Sequence, residues 1–177
     1  MHPHGGCSFA RHGTYARVKP PGTRIPRWYC PESHCTFSLL ADCFAARLSG
    51  TLCEVEAVVE QVEQACSLEA AAEELRPEIE LPGVLRWMRR RVRSVRLVFT
   101  LLKGLMPEWF VNCEPTLLSF RQELALCWVL PALREIAAIH LPVLPSPLGF
   151  RPPSLFTGEP KSLDQQRAGP DPPQALA

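Results

Sequence analysis

Two cysteines that flank a short turn, CPESHC, are placed to hold a metal ion. Cys30 and Cys35 are separated by four residues, and His34 lies in the same turn as a spare ligand. Structural zinc takes four thiolate or imidazole ligands, which small zinc ribbons supply as two closely spaced pairs. The second pair is expected upstream, where His4 and Cys7 have a suitable spacing. The sequence therefore predicts a zinc site formed by Cys30, Cys35, Cys7 and His4.

The metal site has alternatives that the sequence leaves open. His2 and His12 are further candidates for the upstream ligands, and a decayed site would leave Cys30 and Cys35 as ordinary thiols. The five other cysteines stand singly and are predicted to be small apolar residues of the core. Residues 1–45 contain few apolar side chains, which favours a metal because such modules are often unfolded without one.

Six arginines lie within eleven residues of a predicted helix, between Arg86 and Arg96. All six fall off the apolar stripe of that helix, which therefore has a core face and a cationic face. Arginine binds phosphates and reads guanine edges, and a helix fits the major groove of DNA. Basic residues of the N-terminal hairpin are expected to assist. The predicted DNA contacts are Arg86, Arg89, Arg90, Arg93, Arg96, Arg17, Lys19 and Arg24.

The arginine face also has an intramolecular interpretation. Residues 51–80 contain nine glutamates and a single basic residue, Arg76. The arginines could neutralise those carboxylates across an interface within the chain. Trp87 lies off the apolar stripe, and it either packs beneath the second helix or lies against the DNA backbone.

The first two helices are predicted from their caps and from apolar spacing. Thr51 and Glu54 fit a capping box, and residues 52–66 place an apolar residue every three or four positions. Ser67 is a suitable cap for a short second helix, which Pro77 ends.

Two further helices are expected downstream. Pro82 suits the first turn of a long third helix, whose apolar stripe covers residues 85–106 and which ends near Pro107. A fourth helix is predicted over residues 116–139, with a kink at Pro131.

The predicted fold is mostly α with a small N-terminal β zinc ribbon. Residues 1–45 form the ribbon-like module, with strands near 14–18 and 25–29 joined by a PPGT turn. Residues 49–141 form the helical domain. Residues 142–177 are rich in proline and are predicted to be a disordered tail.

The run RHGTYARVKPPGTRIPRWYCPESHCTFSLL resembles the N-terminal zinc ribbon of bacterial insertion-sequence transposases and of related uncharacterised short proteins. In that family a C-P-x-C knuckle precedes R-H-G-x-Y-x-R, and a basic hairpin leads to Y-x-C-x-x-C-x-x-T-F. The run LRWMRRRVRSV resembles the recognition helix of the helix-turn-helix domain that often follows, here over residues 52–103. The resemblance implies zinc ligands at Cys30 and Cys35, and association with DNA.

The chain departs from the family pattern in two places. Four residues separate Cys30 from Cys35 where the pattern has two, and His4 and Cys7 stand where the pattern has two cysteines. Both departures fall on predicted zinc ligands, so they bear on whether the site has all four ligands.

No motif of a catalyst is present in the sequence. A transposase nuclease needs about three carboxylates to hold two metal ions, and the chain has three aspartates, of which Asp164 and Asp171 lie in the predicted tail. The sequence lacks a P-loop, a G-x-S-x-G run and an H-E-x-x-H run. We expect a protein that is not an enzyme and has no small-molecule substrate.

Together these features predict a DNA-binding, non-catalytic targeting or accessory fragment of a mobile element, with zinc as its cofactor. No apolar run is long enough to span a membrane and no secretory signal is visible, so a cytoplasmic, nucleoid-associated location is expected. An alternative is a helical interaction module, in which the apolar faces of residues 52–66 and 85–106 pair with a transposase or a second copy. A non-functional transposase remnant is a further alternative.

Overall fold

A three-stranded antiparallel sheet precedes six α-helices in the computed structural model, which describes residues 8–151. The prediction of a mostly helical chain with a small N-terminal sheet is confirmed at this level. The strands, β1 (Ala10–Ala16), β2 (Arg24–Cys30) and β3 (Cys35–Ser38), pair in sequence order.

The sheet has almost no core of its own. Within its three strands only Ile25 and Cys30 are buried. The pairing of β1 with β2 shifts between Arg11 and Thr14, where Gly13 has a φ of 81°. Glycine adopts this left-handed conformation without steric cost, so it suits a bulge. The sheet therefore depends on contacts outside itself for support.

Arg17, which directly follows β1, ties the sheet to the helical part of the chain. Its Nη2 donates to the carbonyl oxygens of Leu48 (2.8 Å), Gly50 (3.1 Å) and Ala45 (3.3 Å). Its guanidinium carbon also lies 4.9 Å from the ring centroid of Phe44. These bonds give Arg17 a structural role, whereas its contact with DNA stays a prediction.

Helices α1 (Leu52–Gln64) and α2 (Leu68–Leu75) begin at the predicted caps. Thr51 Oγ1 accepts a hydrogen bond from the Glu54 amide at 3.1 Å, and Glu54 Oε2 accepts one from the Thr51 amide at 2.6 Å. Ser67 caps α2 in the same way with its hydroxyl. These side chains satisfy amides that have no partner within a helix, which fixes where each helix starts.

Helix α3 (Leu81–Leu105) is 25 residues long and carries Pro82 in its first turn, as predicted. Its buried face packs against α1 in the main core. The apolar faces of residues 52–66 and 85–106 are thus largely covered within the chain, which removes the basis for pairing them with another subunit. Their buried members are Leu52, Val55, Val58, Val59, Met88, Val92, Val95, Val98, Phe99, Leu102 and Met106.

The predicted fourth helix over residues 116–139 is wrong in its extent. A short helix, α4 (Pro107–Phe110), is followed by α5 (Leu117–Leu124) and α6 (Val129–Ile136). Ala125 ends α5 with a φ of 53°, in the left-handed region that terminates helices. Pro131 occupies the first turn of α6, where a missing amide hydrogen costs no intrahelical bond. The proline therefore lies at the start of a new helix and does not kink a continuous one.

The predicted boundary of the tail at residue 142 is also wrong. Leu144 and Leu148 are completely buried in the main core. Gly149 lies so close to the main chain that a Cβ would stand 2.1 Å from the Leu144 carbonyl oxygen. Proline content suggested disorder for residues 142–151, but their leucines are needed to close the core. The remaining predicted tail, from residue 152 onward, lies outside the described residues.

Candidate nucleic-acid interface and metal site

The arginines predicted to contact DNA lie along one side of α3. Arg86, Arg89, Arg90, Arg93 and Arg96 are all exposed. At 100° per residue their mean direction is roughly opposite to that of the buried residues of the same helix. The helix therefore presents a continuous cationic face to solvent, and we call these five residues the arginine face.

The arginine face is not neutralised by the glutamates of α1 and α2. Within residues 8–151, no arginine of α3 forms an ion pair. Glu56 and Glu60 pair with Arg121 of α5, and the Glu63 carboxylate accepts from the Leu117 amide at 3.0 Å. Within the described residues, the arginines of α3 therefore do not neutralise these glutamates through direct ion pairs.

Arg91, the sixth arginine of the run, is separate from this face. It is 5% exposed and its Nη2 donates to Ser49 Oγ at 3.0 Å. Burial, together with the neighbouring charges of Arg76 and Arg90, lowers the pKa of Arg91 to about 10. Since burial is the largest cause, the shift mainly reflects the cost of keeping this guanidinium away from water.

Trp87 is half-buried and packs against the second helix. It lies against a small cluster that includes Ala71 and Ala72 of α2, which confirms the intramolecular alternative for this side chain. The guanidinium carbons of Arg76 and Arg91 lie 4.6 Å and 3.9 Å from its ring centroid. These cation–π contacts favour the buried position of Arg91.

Two basic residues of the N-terminal module remain exposed beside the sheet. Lys19 lies in the turn after β1, and Arg24 begins β2. Arg24 Nε donates to Thr14 Oγ1 at 3.1 Å, an exposed contact that leaves its terminal nitrogens available. Both residues therefore stay candidates for contact with phosphate.

The structure brings together two of the four predicted zinc ligands. Cys30 and Cys35 are directly paired at the end of the β2–β3 hairpin. Side chains of such a pair lie on the same face of a sheet, with Cβ atoms about 4.5–5.5 Å apart. Two thiolates bound to one zinc ion are about 3.8 Å apart, given Zn–S bonds of about 2.3 Å. The hairpin geometry is therefore compatible with ligation of one ion by both cysteines.

The other two predicted ligands, His4 and Cys7, lie outside the described residues. Residues 8–151 contain no cluster of three or more side chains suited to hold a metal ion. His34, the spare ligand in the turn, has its Nδ1 hydrogen bonded to the Tyr29 hydroxyl at 2.9 Å. The remaining ligands of a tetrahedral site at Cys30 and Cys35, including the predicted His4 and Cys7, would therefore lie outside residues 8–151.

A buried carboxylate that the sequence analysis did not single out lies between α1, α5 and α6. Glu56 is completely buried, and its two oxygens accept the amides of Val129 (2.9 Å) and Leu130 (2.8 Å). Arg121 Nη2 donates to the same carboxylate at 3.3 Å. Since these donors surround both oxygens, Glu56 caps α6 and is not poised as a general base.

The fold and the site define a mostly helical protein with a small N-terminal sheet and one strongly cationic helix. Comparison with protein-family models, curated sequences and solved structures gives no match. No helix among residues 8–151 combines the length and apolar character needed to cross a membrane. Five residues connect α2 to α3, one more than the longest turn usual in a helix-turn-helix.

Proposed function

We propose that this chain binds double-stranded DNA through the arginine face of α3, as a non-catalytic targeting or accessory protein related to transposases. The main observation in support is that five arginines are exposed on one face and none forms an ion pair with a described residue. From Arg86 to Arg96 the helix rises about 15 Å, enough for contacts with several phosphates of one groove. Lys19 and Arg24 assist at its periphery. The link to mobile elements rests on the resemblance of the N-terminal hairpin.

The proposal predicts DNA affinity that falls steeply with salt and depends on this face. The triple variant Arg86→Gln/Arg89→Gln/Arg93→Gln should weaken binding to a mixed-sequence duplex at every salt concentration. Each arginine lost from a phosphate contact should reduce the slope of log affinity against log salt by about 1, or about 3 in total. Fluorescence anisotropy over a salt series measures both quantities.

Lys103→Gln is the control, because it removes one positive charge near the other end of the same helix. It should leave the salt slope nearly unchanged. Thermal melting of each variant checks that the fold persists, as expected for exposed side chains. The proposal is wrong if the wild-type protein does not bind DNA, or if the triple variant retains the wild-type slope.

We further propose that Cys30 and Cys35, together with Cys7 and His4, hold a zinc ion that stabilises the sheet. The paired position of the two cysteines and the scarcity of buried side chains in the sheet support this. Such a closed site would be structural, since zinc with four protein ligands leaves no position open for substrate.

Metal analysis of untagged protein, purified without chelator, tests the zinc site. About one zinc ion per chain is expected, and Cys30→Ser/Cys35→Ser should lose it. The control Cys43→Ser/Cys66→Ser removes two exposed cysteines outside the hairpin and should keep the metal. Folded wild-type protein without zinc would disprove this part of the proposal and leave DNA binding to its own test.

A further inference from the structure

A cleft beside the arginine face combines two guanidinium groups with a strained main-chain position. Its volume is about 170 Å³, and its lining includes Arg47, Arg90, Ser94, Leu97 and Ser146. One water needs only about 10–15 Å³ of such space, so the cleft has room for a small hydrated ion. No acidic residue contributes to its lining among the residues described.

The hydrogen-bond donors of the cleft are only partly used. Arg47 donates from one Nη2 to the Phe150 carbonyl at 3.3 Å, and Arg90 Nη2 lies 3.5 Å from the Arg47 carbonyl oxygen. A guanidinium carries five N–H donors, so most of them stay available for a ligand. Ser146 Oγ already donates to the Ala46 carbonyl, which leaves the two arginines and the Ser94 hydroxyl as the donors.

The main chain at Arg47 is held in an unfavourable conformation at this place. Arg47 has a φ of 58°, although it is not a glycine, and it stands between buried Ala46 and Leu48. Left-handed non-glycine residues persist where surrounding structure enforces them, and they are concentrated at ligand sites. Arg47, which has this conformation, lines the same cleft as Arg90.

We propose that this cleft binds one phosphate group, held between the guanidinium groups of Arg47 and Arg90 with Ser94 as a further donor. Two arginines with no carboxylate beside them match the charge and the acceptor oxygens of a phosphate. Arg90 also belongs to the arginine face, so a phosphodiester of bound DNA is one source of the group. A free phosphate ion is the other. Only the assignment to DNA rests on the proposed function.

Isothermal titration calorimetry of the full chain with inorganic phosphate, at constant ionic strength, tests the site. Saturable binding of one phosphate per chain is expected. Arg47→Gln and Arg90→Gln should each weaken it about tenfold, because each removes charged hydrogen bonds. Ser94→Asp should abolish it by placing a carboxylate in the cleft while keeping both arginines. Lys103→Gln, which removes one positive charge of the same helix outside both the cleft lining and the arginine face, is the control and should bind phosphate as the wild type does.

DNA binding by Arg47→Gln separates the two sources. A loss of affinity for the duplex assigns the phosphate to DNA, whereas unchanged DNA affinity with weakened phosphate binding assigns a free ion. If the wild-type protein binds phosphate but does not bind DNA, the proposed function is refuted and the phosphate site in the cleft is retained. The inference is overturned if no saturable phosphate binding occurs, or if Lys103→Gln loses as much phosphate affinity as Arg47→Gln.

Discussion

Glu56→Ala should lower the free energy of unfolding by about 3–5 kcal/mol, because it breaks a buried, charged hydrogen-bond network. The carboxylate is completely buried, caps α6 through the amides of Val129 and Leu130, and faces the Arg121 guanidinium. Alanine would leave both amides without acceptors and remove one of the two carboxylates that balance Arg121. Urea denaturation, with the slope compared between variants, measures the loss.

Glu60→Gln is the control for this prediction. Glu60 pairs with the same Arg121, but about 30% of its side chain is exposed, so its neutralisation should cost less than about 1 kcal/mol. Glu56→Gln should fall between the two, since an amide oxygen still accepts from one of the two helix amides. Equal unfolding midpoints for Glu56→Ala and Glu60→Gln would show that the carboxylate does not hold α6 in place.

The position of Glu56 could have been inferred from the sequence. It lies four residues after Leu52 and three before Val59, so on a helix it borders the apolar stripe. Its partners could not, because the amides that it accepts come from residues more than 70 positions away. Helical spacing predicts which face is buried, whereas the partner of a buried charge depends on how distant segments pack.

The same distinction explains where the predicted elements succeed and fail. The caps at Thr51 and Ser67 and the entry of α3 at Pro82 are local features, and each is confirmed. The break at Ala125 and the burial of residues 142–151 depend on tertiary contacts. Proline counts suggested disorder for that last segment, but leucines that fit an existing core outweigh them.

The candidate sites divide in a similar way. The arginine face follows from helical periodicity, which placed its five exposed members correctly. The same periodicity also placed Arg91 off the apolar stripe, which is wrong, since Arg91 is buried. Arg17 could not be separated from them, since the carbonyl oxygens that it binds come from a loop about 30 residues downstream. The cleft at Arg47 and Arg90 could not be predicted from the sequence either, because its lining comes from α3 and from segments that are remote in sequence.

A second large effect is expected at Arg134, which lies on α6 and is 3% exposed. Its Nη2 donates to the carbonyl oxygens of Leu148 (2.7 Å) and Pro147 (3.1 Å). Its Nη1 donates to those of Phe44 (3.0 Å) and Asp42 (3.1 Å). Burial lowers the pKa of Arg134, so these four acceptors must offset the cost of keeping its charge away from water.

Arg134→Met should therefore destabilise the protein by about 4 kcal/mol, since a buried carbonyl left without a donor costs about 1–3 kcal/mol. The carbonyls of Leu148, Phe44 and Asp42 would lose this donor, whereas that of Pro147 keeps the Ala46 amide. Methionine keeps most of the side-chain volume, so the loss reports the hydrogen bonds more than a cavity. Arg96→Met, an exposed arginine of α3, is the matched control and should change stability by less than about 0.5 kcal/mol.

Hydrogen exchange separates loss of this particular connection from general weakening. In Arg134→Met the amides of Ala46 and Gly149, which bond to the carbonyls of Pro147 and Pro145, should exchange faster relative to those of α3. The reason is that Arg134 joins the segment before α1 to the segment after α6, and so fixes both against the core. Uniform acceleration across all helices would contradict that role. Protection lost only around these two segments would establish that one buried arginine holds the first and last described parts of the helical region together.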